Sequence, residues 1–230
     1  MEIEILQLAQ GAKQAKGITI IIDVFRAFSL EAYLFHNGCK EIFAVYDKQT
    51  AYQLKNEHPH YILIGERHGK ILPGFDYGNA PSVIEHINFS NKTVIHSTSN
   101  GTLGIHNAIH AEDIYVASFV NAKATVQAIL QKNPKLVSIV CMGWEGKETE
   151  EDTLCALYLK SLFEDEPISN IEQLVKELKC TEGKKFFDPN QQDIFPEKDF
   201  YLCTKINCFD FAIHTTIENG LAINRKENIL

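Results

Sequence analysis

Ile18-Thr19-Ile20-Ile21-Ile22-Asp23-Val24-Phe25-Arg26 is an apolar run that ends abruptly in a carboxylate and a guanidinium. Helical spacing follows over 29–36, Asn37-Gly38 stops it, and Glu41-Ile42-Phe43-Ala44-Val45 reads as the next strand. A helix near 48–55 and a third strand, Tyr61-Ile62-Leu63-Ile64, lead into Gly65-Glu66-Arg67-His68-Gly69-Lys70. The same order returns at Thr93-Val94-Ile95-His96, which turns through Ser97-Thr98-Ser99-Asn100-Gly101-Thr102 into a helix over 103–109. A strand over 113–117, a helix over 122–130 and a strand over 136–140 follow, closing in Gly143-Trp144-Glu145-Gly146-Lys147.

Short apolar strands alternating with helices are the pattern of a parallel sheet covered on both faces. Ile42-Phe43 and Ile114-Tyr115 lie about 72 residues apart, so the pattern runs twice. It predicts an α/β fold of duplicated three-layer α/β/α units with mainly parallel sheets. Residues 1–90 form the first unit and 91–155 the second. Beyond them, helical spacing over 153–163 and 171–178 precedes Phe209–Thr216, Glu218-Asn219-Gly220 and Leu221–Asn224, a hairpin with an Asn-Gly turn. Residues 156–230 are therefore expected to pack on both units and complete the sheets, giving one compact enzyme.

Composition narrows the class. Of 230 residues, 45% are apolar, 22 are basic and 30 acidic, for a formal charge of −8. That balance argues against nucleic acid and anionic membrane as partners. The acidic Met1-Glu2-Ile3-Glu4 start is unlike a signal peptide, and no apolar stretch reaches the length of a membrane span. Six scattered cysteines without a Cys-x-x-Cys pair read as reduced thiols of a cytoplasmic protein.

Only Arg26, Arg67 and Arg225 are arginines. Ligands of parallel sheets bind at the carboxyl ends of strands, and the polar residues gather there. Asp23 and Arg26 follow one strand, Glu66 and Arg67 another, and Glu145, Glu148, Glu151 and Asp152 a third. Ser97–Thr102, Ser118 and Asn121 add hydroxyls and amides. Carboxylates can hold Mg²⁺ while arginines grip the oxyanions it bridges; the alternative is a carboxylate that merely pairs with its neighbouring arginine. Ser, Thr and Asn at a strand-to-helix turn suit an anion, and equally a helix cap. The turn-rich Pro73–Pro81 segment reads by composition as a connection. His106 and His110 have zinc-ligand spacing without a third ligand, and read as surface histidines. Cys-x5-Arg, Asp-x-Asp, P-loop and Gly-x-Gly-x-x-Gly signatures are all missing.

At these segments the chain resembles the 2-phosphosulfolactate phosphatases, Mg²⁺-dependent enzymes of coenzyme M biosynthesis. Ile22-Asp23-Val24-Phe25-Arg26-Ala27, Gly65-Glu66-Arg67, Gly74–Pro81, Thr98–Thr102 and Ala117–Ala122 carry the likeness. Cys141-Met142-Gly143 through Glu151-Asp152 extends it, with weaker matches at Asp199, Cys203 and Asp210. Departures fall at Phe28, Leu30 and Ala80, where the family usually has hydroxyls.

The resemblance implies hydrolysis of 2-phospho-3-sulfolactate to 3-sulfolactate and phosphate. It implies a catalytic set of Asp23, Glu66, Arg26 and Arg67, and Mg²⁺ on Asp23 and Glu66 with Glu151 or Asp152. The arginines would clamp the phosphoryl and the sulfonate or carboxylate groups. Asn79, Asp76, Thr98, Ser99, Asn100, Gly101, Thr102, Ser118 and Asn121 would surround the substrate, and a homodimer is the family expectation. Which carboxylate is the base stays open, as does a covalent intermediate. Two other readings stand: a phosphatase of another small phospho-acid, which the lost hydroxyls favour, and a non-catalytic anion binder.

Overall fold

The structure, a computed structural model, describes residues 1–229. In chain order the elements are β1 (Glu2–Gln7), α1 (Leu8–Gln14), β2 (Gly17–Ile22), α2 (Ala27–His36), β3 (Glu41–Ala44), α3 (Lys48–Glu57), β4 (Ile62–Arg67), β5 (Lys70–Ile71) and α4 (Pro81–Ile84). Then come β6 (Thr93–Ser97), α5 (Gly101–Asn107), β7 (Ala111–Ala117), α6 (Ala122–Gln131), β8 (Leu136–Cys141) and α7 (Glu150–Phe163). The tail holds α8 (Ile171–Glu177), α9 (Glu197–Cys203), β9 (Phe211–Glu218) and β10 (Leu221–Asn228), with short 3₁₀ turns between.

The strands form one ten-stranded sheet in the order β1-β8-β2-β7-β9-β10-β3-β6-β4-β5. β1, β8, β2 and β7 are mutually parallel, as are β3, β6 and β4. The β9–β10 hairpin stands between these two groups and pairs antiparallel with β7 and with β3, so the groups run in opposite directions. Its Asn219-Gly220 turn has φ of +51° and +79°, the geometry that closes a two-residue hairpin. The C-terminal segment thus joins two half-sheets into one.

Pairing does not follow the linear division at residue 90. β2 lies between β8 and β7, while β6 lies between β3 and β4. The two passes through the sequence have exchanged their leading strands. Their helices follow: α2 buries Phe28, Leu30 and Leu34 in a cluster with Ile42, Ile64 and Val94 of the other half-sheet, and α5 packs on α1 and β2. Every residue of β2 is buried, with Ile18, Ile20 and Ile22 facing one apolar cluster and Ile21 the other.

This exchange positions the polar loops. The turn after β2 and the turn after β6 leave opposite halves and meet in the middle of the molecule. The sequence pattern missed α1, β5, α4 and α9, and with them β1, the longest strand missed. Its Glu-Ile-Glu-Ile alternation suits an edge strand, and it pairs with β8 from Glu2–Leu136 to Gln7–Cys141.

Candidate active site

Asp23 ends β2 and is buried. Its Oδ1 accepts from Ala27 N at 3.0 Å and its Oδ2 from Gly101 N at 3.0 Å. Gly101 suits this close approach, because a Cβ would stand 3.0 Å from both Asp23 Oδ2 and Phe28 Cζ and would press on them. Two N–H donors favour the carboxylate, yet burial and then the nearby Glu66 outweigh them and push the Asp23 carboxyl up to about 6.

Glu66, on β4, is tied down in the same manner: Oε1 accepts from Ser99 N at 2.9 Å and Oε2 from Gly69 N at 2.6 Å. Asp152, in the first turn of α7, accepts from Val24 N at 2.9 Å and Gly143 N at 2.8 Å. It therefore bridges the Asp23 turn to the turn after β8. Burial, Glu151 and Asp23 all raise its carboxyl well above the usual range. Beside it, Glu151 is pushed up to about 7, chiefly by burial, and its Oε2 has no hydrogen-bond partner among the described residues.

Arg26 is the buried cation of the group, reached through a cis Phe25–Arg26 peptide. Its Nη1 lies 2.6 Å from Asp199 Oδ2, while Asp199 Oδ1 accepts from Ser82 N at 2.8 Å. The guanidinium carbon stands 5.1 Å from the Phe195 ring centroid and 5.9 Å from that of Phe186. Lys185, in the 3₁₀ turn Glu182–Phe187, shares this aromatic box, with Nζ 4.2 Å from the Trp144 ring and 5.4 Å from Phe195. Burial, then the charge of Arg26, lowers its pKa, while Glu151, Asp23 and Asp152 oppose that shift. Lys185 had no motif to mark it in the sequence; only the folded tail brings it here. Asp199 was visible only as a weak match.

A cavity of about 540 Å³ opens beside Arg26 and is lined by Gly69, Lys70, Asp76, Asn79 and Ala80, among others. Asn79 is buried, and its Oδ1 lies 3.2 Å from His96 Nε2. Asp76 sits at the cavity margin, where Oδ2 accepts from Leu63 N at 2.8 Å and pairs with Lys55 at 3.3 Å. Of the departures, Ala80 lines the cavity, whereas Phe28 and Leu30 are fully buried in the core. The hydroxyl lost at position 80 is the one that bears on a ligand.

Arg67 turns elsewhere. Expected on the substrate, its guanidinium is spent on backbone: Nη1 donates to Glu66 O at 2.6 Å and Ser97 O at 3.2 Å, and Nη2 to Tyr46 O at 2.5 Å and Ser97 Oγ at 3.0 Å. Carbonyls near the ends of β4 and β6 and just beyond β3 thereby gain a donor, and Arg67 supplies it.

Within the Ser97–Thr102 turn, Thr98 and Thr102 close on each other: Thr102 Oγ1 donates to Thr98 O at 2.9 Å. Ser99 offers a buried Oγ without a partner beside Glu66, and Asn100 precedes α5 without capping it through its side chain. Ser118 and Asn121 make a turn after β7, with Asn121 Oδ1 accepting from Ser118 N at 3.1 Å. His106 and His110 are both exposed.

Among the described residues no three His, Cys, Asp or Glu side chains converge as a metal cage. Mg²⁺ requires less, since one or two carboxylates suffice when water and substrate oxygens complete the shell. Asp23, Glu66, Asp152 and Glu151 put four acidic groups in one buried region, three of them raised. The free Glu151 Oε2 and the strained ionisation of Asp23 are what a divalent cation would relieve, so the donor set fits one.

Comparison with known proteins identifies relatives of this chain. The family model described as 2-phosphosulpholactate phosphatase matches residues 4–216. A probable 2-phosphosulfolactate phosphatase of Bacillus subtilis (strain 168) is 33% identical over 216 residues, 93% of each chain. A protein of the same description from Clostridium novyi (strain NT) is 31% identical over 163 residues, 69% of each chain. One from Caldicellulosiruptor saccharolyticus is 39% identical over 148 residues, covering 63% of this chain and 61% of its own. The chain belongs to the 2-phosphosulfolactate phosphatase family.

Proposed function

We propose that the protein is a Mg²⁺-dependent phosphatase that hydrolyses the phosphate ester of 2-phospho-3-sulfolactate, releasing 3-sulfolactate and phosphate. The observation that carries this reading is the meeting of Lys185 and Arg26, which lines the cavity, with the buried carboxylates of Asp23, Glu151 and Asp152. Two fixed cations suit a substrate with several acid groups. The carboxylates suit a divalent ion and a proton transfer.

In phosphoryl transfer the charge of the transition state spreads over the non-bridging phosphoryl oxygens, and catalysis is positioning plus electrostatics. Arg26, held by Asp199, faces those oxygens as a pre-set donor. Asp23 and Glu66 would hold Mg²⁺, which would neutralise charge on the transferring group. Asp152 spends both oxygens on Val24 N and Gly143 N, so it fixes the loops that carry Asp23 and Trp144. Glu151 has an oxygen without a hydrogen-bond partner among the described residues, and burial pushes its carboxyl up to about 7. In this reading Glu151 would take a proton from the attacking water and return it to the leaving ester oxygen as the P–O bond breaks.

A second reading, another small phospho-acid as substrate, is favoured by Ala80, which offers the cavity a methyl group. Phosphate release from 2-phospho-3-sulfolactate and from phospholactate, with and without Mg²⁺, separates the two. Preference for the sulfonated ester supports the first reading, and preference for phospholactate the second.

A further inference from the structure

A polar chain runs from the cavity into the centre of the sheet. Asn79 Oδ1 is 3.2 Å from His96 Nε2, His96 Nδ1 is 2.8 Å from Glu31 Oε1, and Asn224 Nδ2 donates to Glu31 Oε2 at 2.6 Å. Thr215 Oγ1 donates onward to Asn224 Oδ1 at 2.7 Å. His96, Glu31 and Asn224 are completely shielded from solvent, and Asn79 nearly so. The links come from β6, α2 and the central hairpin, none of which carries another group assigned to the substrate.

Hydrogen bookkeeping gives the chain a direction. Both ring nitrogens of His96 face oxygens, and an oxygen with a lone pair cannot bond another lone pair. Nε2 must therefore carry a hydrogen to donate to Asn79 Oδ1. A second hydrogen must lie between Nδ1 and Glu31 Oε1, whichever atom holds it. With Oδ1 occupied in this way, the Asn79 amide has one orientation left: its NH₂ points away from His96, and Asn79 and Arg26 both line the cavity. Without His96 the amide could turn over and offer the cavity an acceptor, which repels an anion.

We propose that His96, anchored by Glu31, is a positioning residue that locks Asn79 as a hydrogen-bond donor to an oxyanion of the bound phospho-acid. This deepens the phosphatase reading and rests on it. A donor to a charged group of the ground-state substrate contributes to binding more than to turnover, so its loss raises KM and leaves kcat nearly unchanged. Glutamine at position 31 can donate to Nδ1 through its amide and accept from Asn224, which keeps Nε2–H on Asn79.

The test is a double-mutant cycle on the full chain, read by kinetics with 2-phospho-3-sulfolactate and by calorimetric binding of 3-sulfolactate and of inorganic phosphate. H96F is expected to raise KM and both Kd values about tenfold with kcat within about twofold, E31Q to stay near wild type, and H96F to add nothing in an N79A background. H96F with unchanged Kd, or an equal loss in the N79A background, overturns the proposal. Should H96F fail to fold, N79D keeps an acceptor on His96 but turns a carboxylate oxygen to the cavity. It is expected to weaken phosphate binding at least tenfold, and unchanged binding overturns the proposal. A wild-type protein that neither hydrolyses nor binds any of these ligands refutes the phosphatase reading itself, whereas an active wild type with an indifferent H96F refutes the positioning role alone.

Discussion

Arg26 Nη1 lies 2.6 Å from Asp199 Oδ2, and both side chains are buried although 173 residues separate them. Asp199 spends its other oxygen on Ser82 N, so one carboxylate ties α9, α4 and the turn after β2 together. Arg26 is thereby held in one place, and the tail of the chain becomes part of the site.

Breaking that pair leaves a buried charge without a partner, which costs about 3–5 kcal/mol. D199N is expected to lower stability by that amount in urea titration and to weaken substrate binding together with it. R26K keeps the charge and loses the planar fork, and kcat/KM is expected to fall about 10²–10³-fold, the loss seen when one transition-state donor is removed. A lysine variant with wild-type kcat/KM would contradict the role given to Arg26.

Asp23 and Glu151 make the site costly to keep charged. An acid whose pKa is raised by folding binds more protons folded than unfolded, so its contribution to stability is complete below the unfolded pKa and is lost as pH rises through the folded value. For Asp23 the window runs from 3.8 to about 6, and for Glu151 from 4.5 to about 7. Wild type measured against D23N without metal is therefore expected to lose relative stability between about pH 4 and 6, by a few kcal/mol at most. The urea midpoints of the two proteins across that range give the slope, and a relative gain with rising pH has the wrong sign.

Mg²⁺ should reverse part of this cost, because a ligand that binds only the folded state raises its stability. At pH 7.5 millimolar Mg²⁺ is expected to raise the melting temperature of wild type by several degrees and that of D23N hardly at all. Equal shifts in both would remove Asp23 from the metal site.

Arg67 and Lys185 are expected to behave oppositely. Arg67 bonds four backbone and hydroxyl oxygens, so R67M should cost about 2–3 kcal/mol of stability while KM shifts little. Lys185 bonds no acceptor among the described residues and lies half-buried among Trp144, Phe186 and Phe195. K185M should leave stability intact or raise it, because a desolvated cation is lost, and should raise Kd for 3-sulfolactate about tenfold. Thermal melts and calorimetry on the two variants read both effects.

The strand–helix repeat and the Asn219-Gly220 hairpin were legible because each is written locally, in apolar runs and a turn dipeptide. The exchange of β2 and β6 between half-sheets was not, since pairing partners leave no mark on a strand buried on both faces. The same reason separates Arg26 from Arg67. Each follows a strand and stands near a carboxylate in sequence, yet one faces the cavity and the other the carbonyls of Tyr46 and Ser97. A single buried histidine or tail lysine acquires meaning only from its folded neighbours: His96 meets Asn79 and Glu31, 17 and 65 residues away, and Lys185 meets Trp144, in the turn after β8.

The most direct measurement is phosphate release from 2-phospho-3-sulfolactate by purified wild type and E151Q in the presence of Mg²⁺. Turnover by wild type, with kcat at least 10²-fold lower in E151Q at pH 7.5, is the expected result. Wild-type protein that binds 3-sulfolactate and releases no phosphate, or E151Q with wild-type kcat, would contradict it.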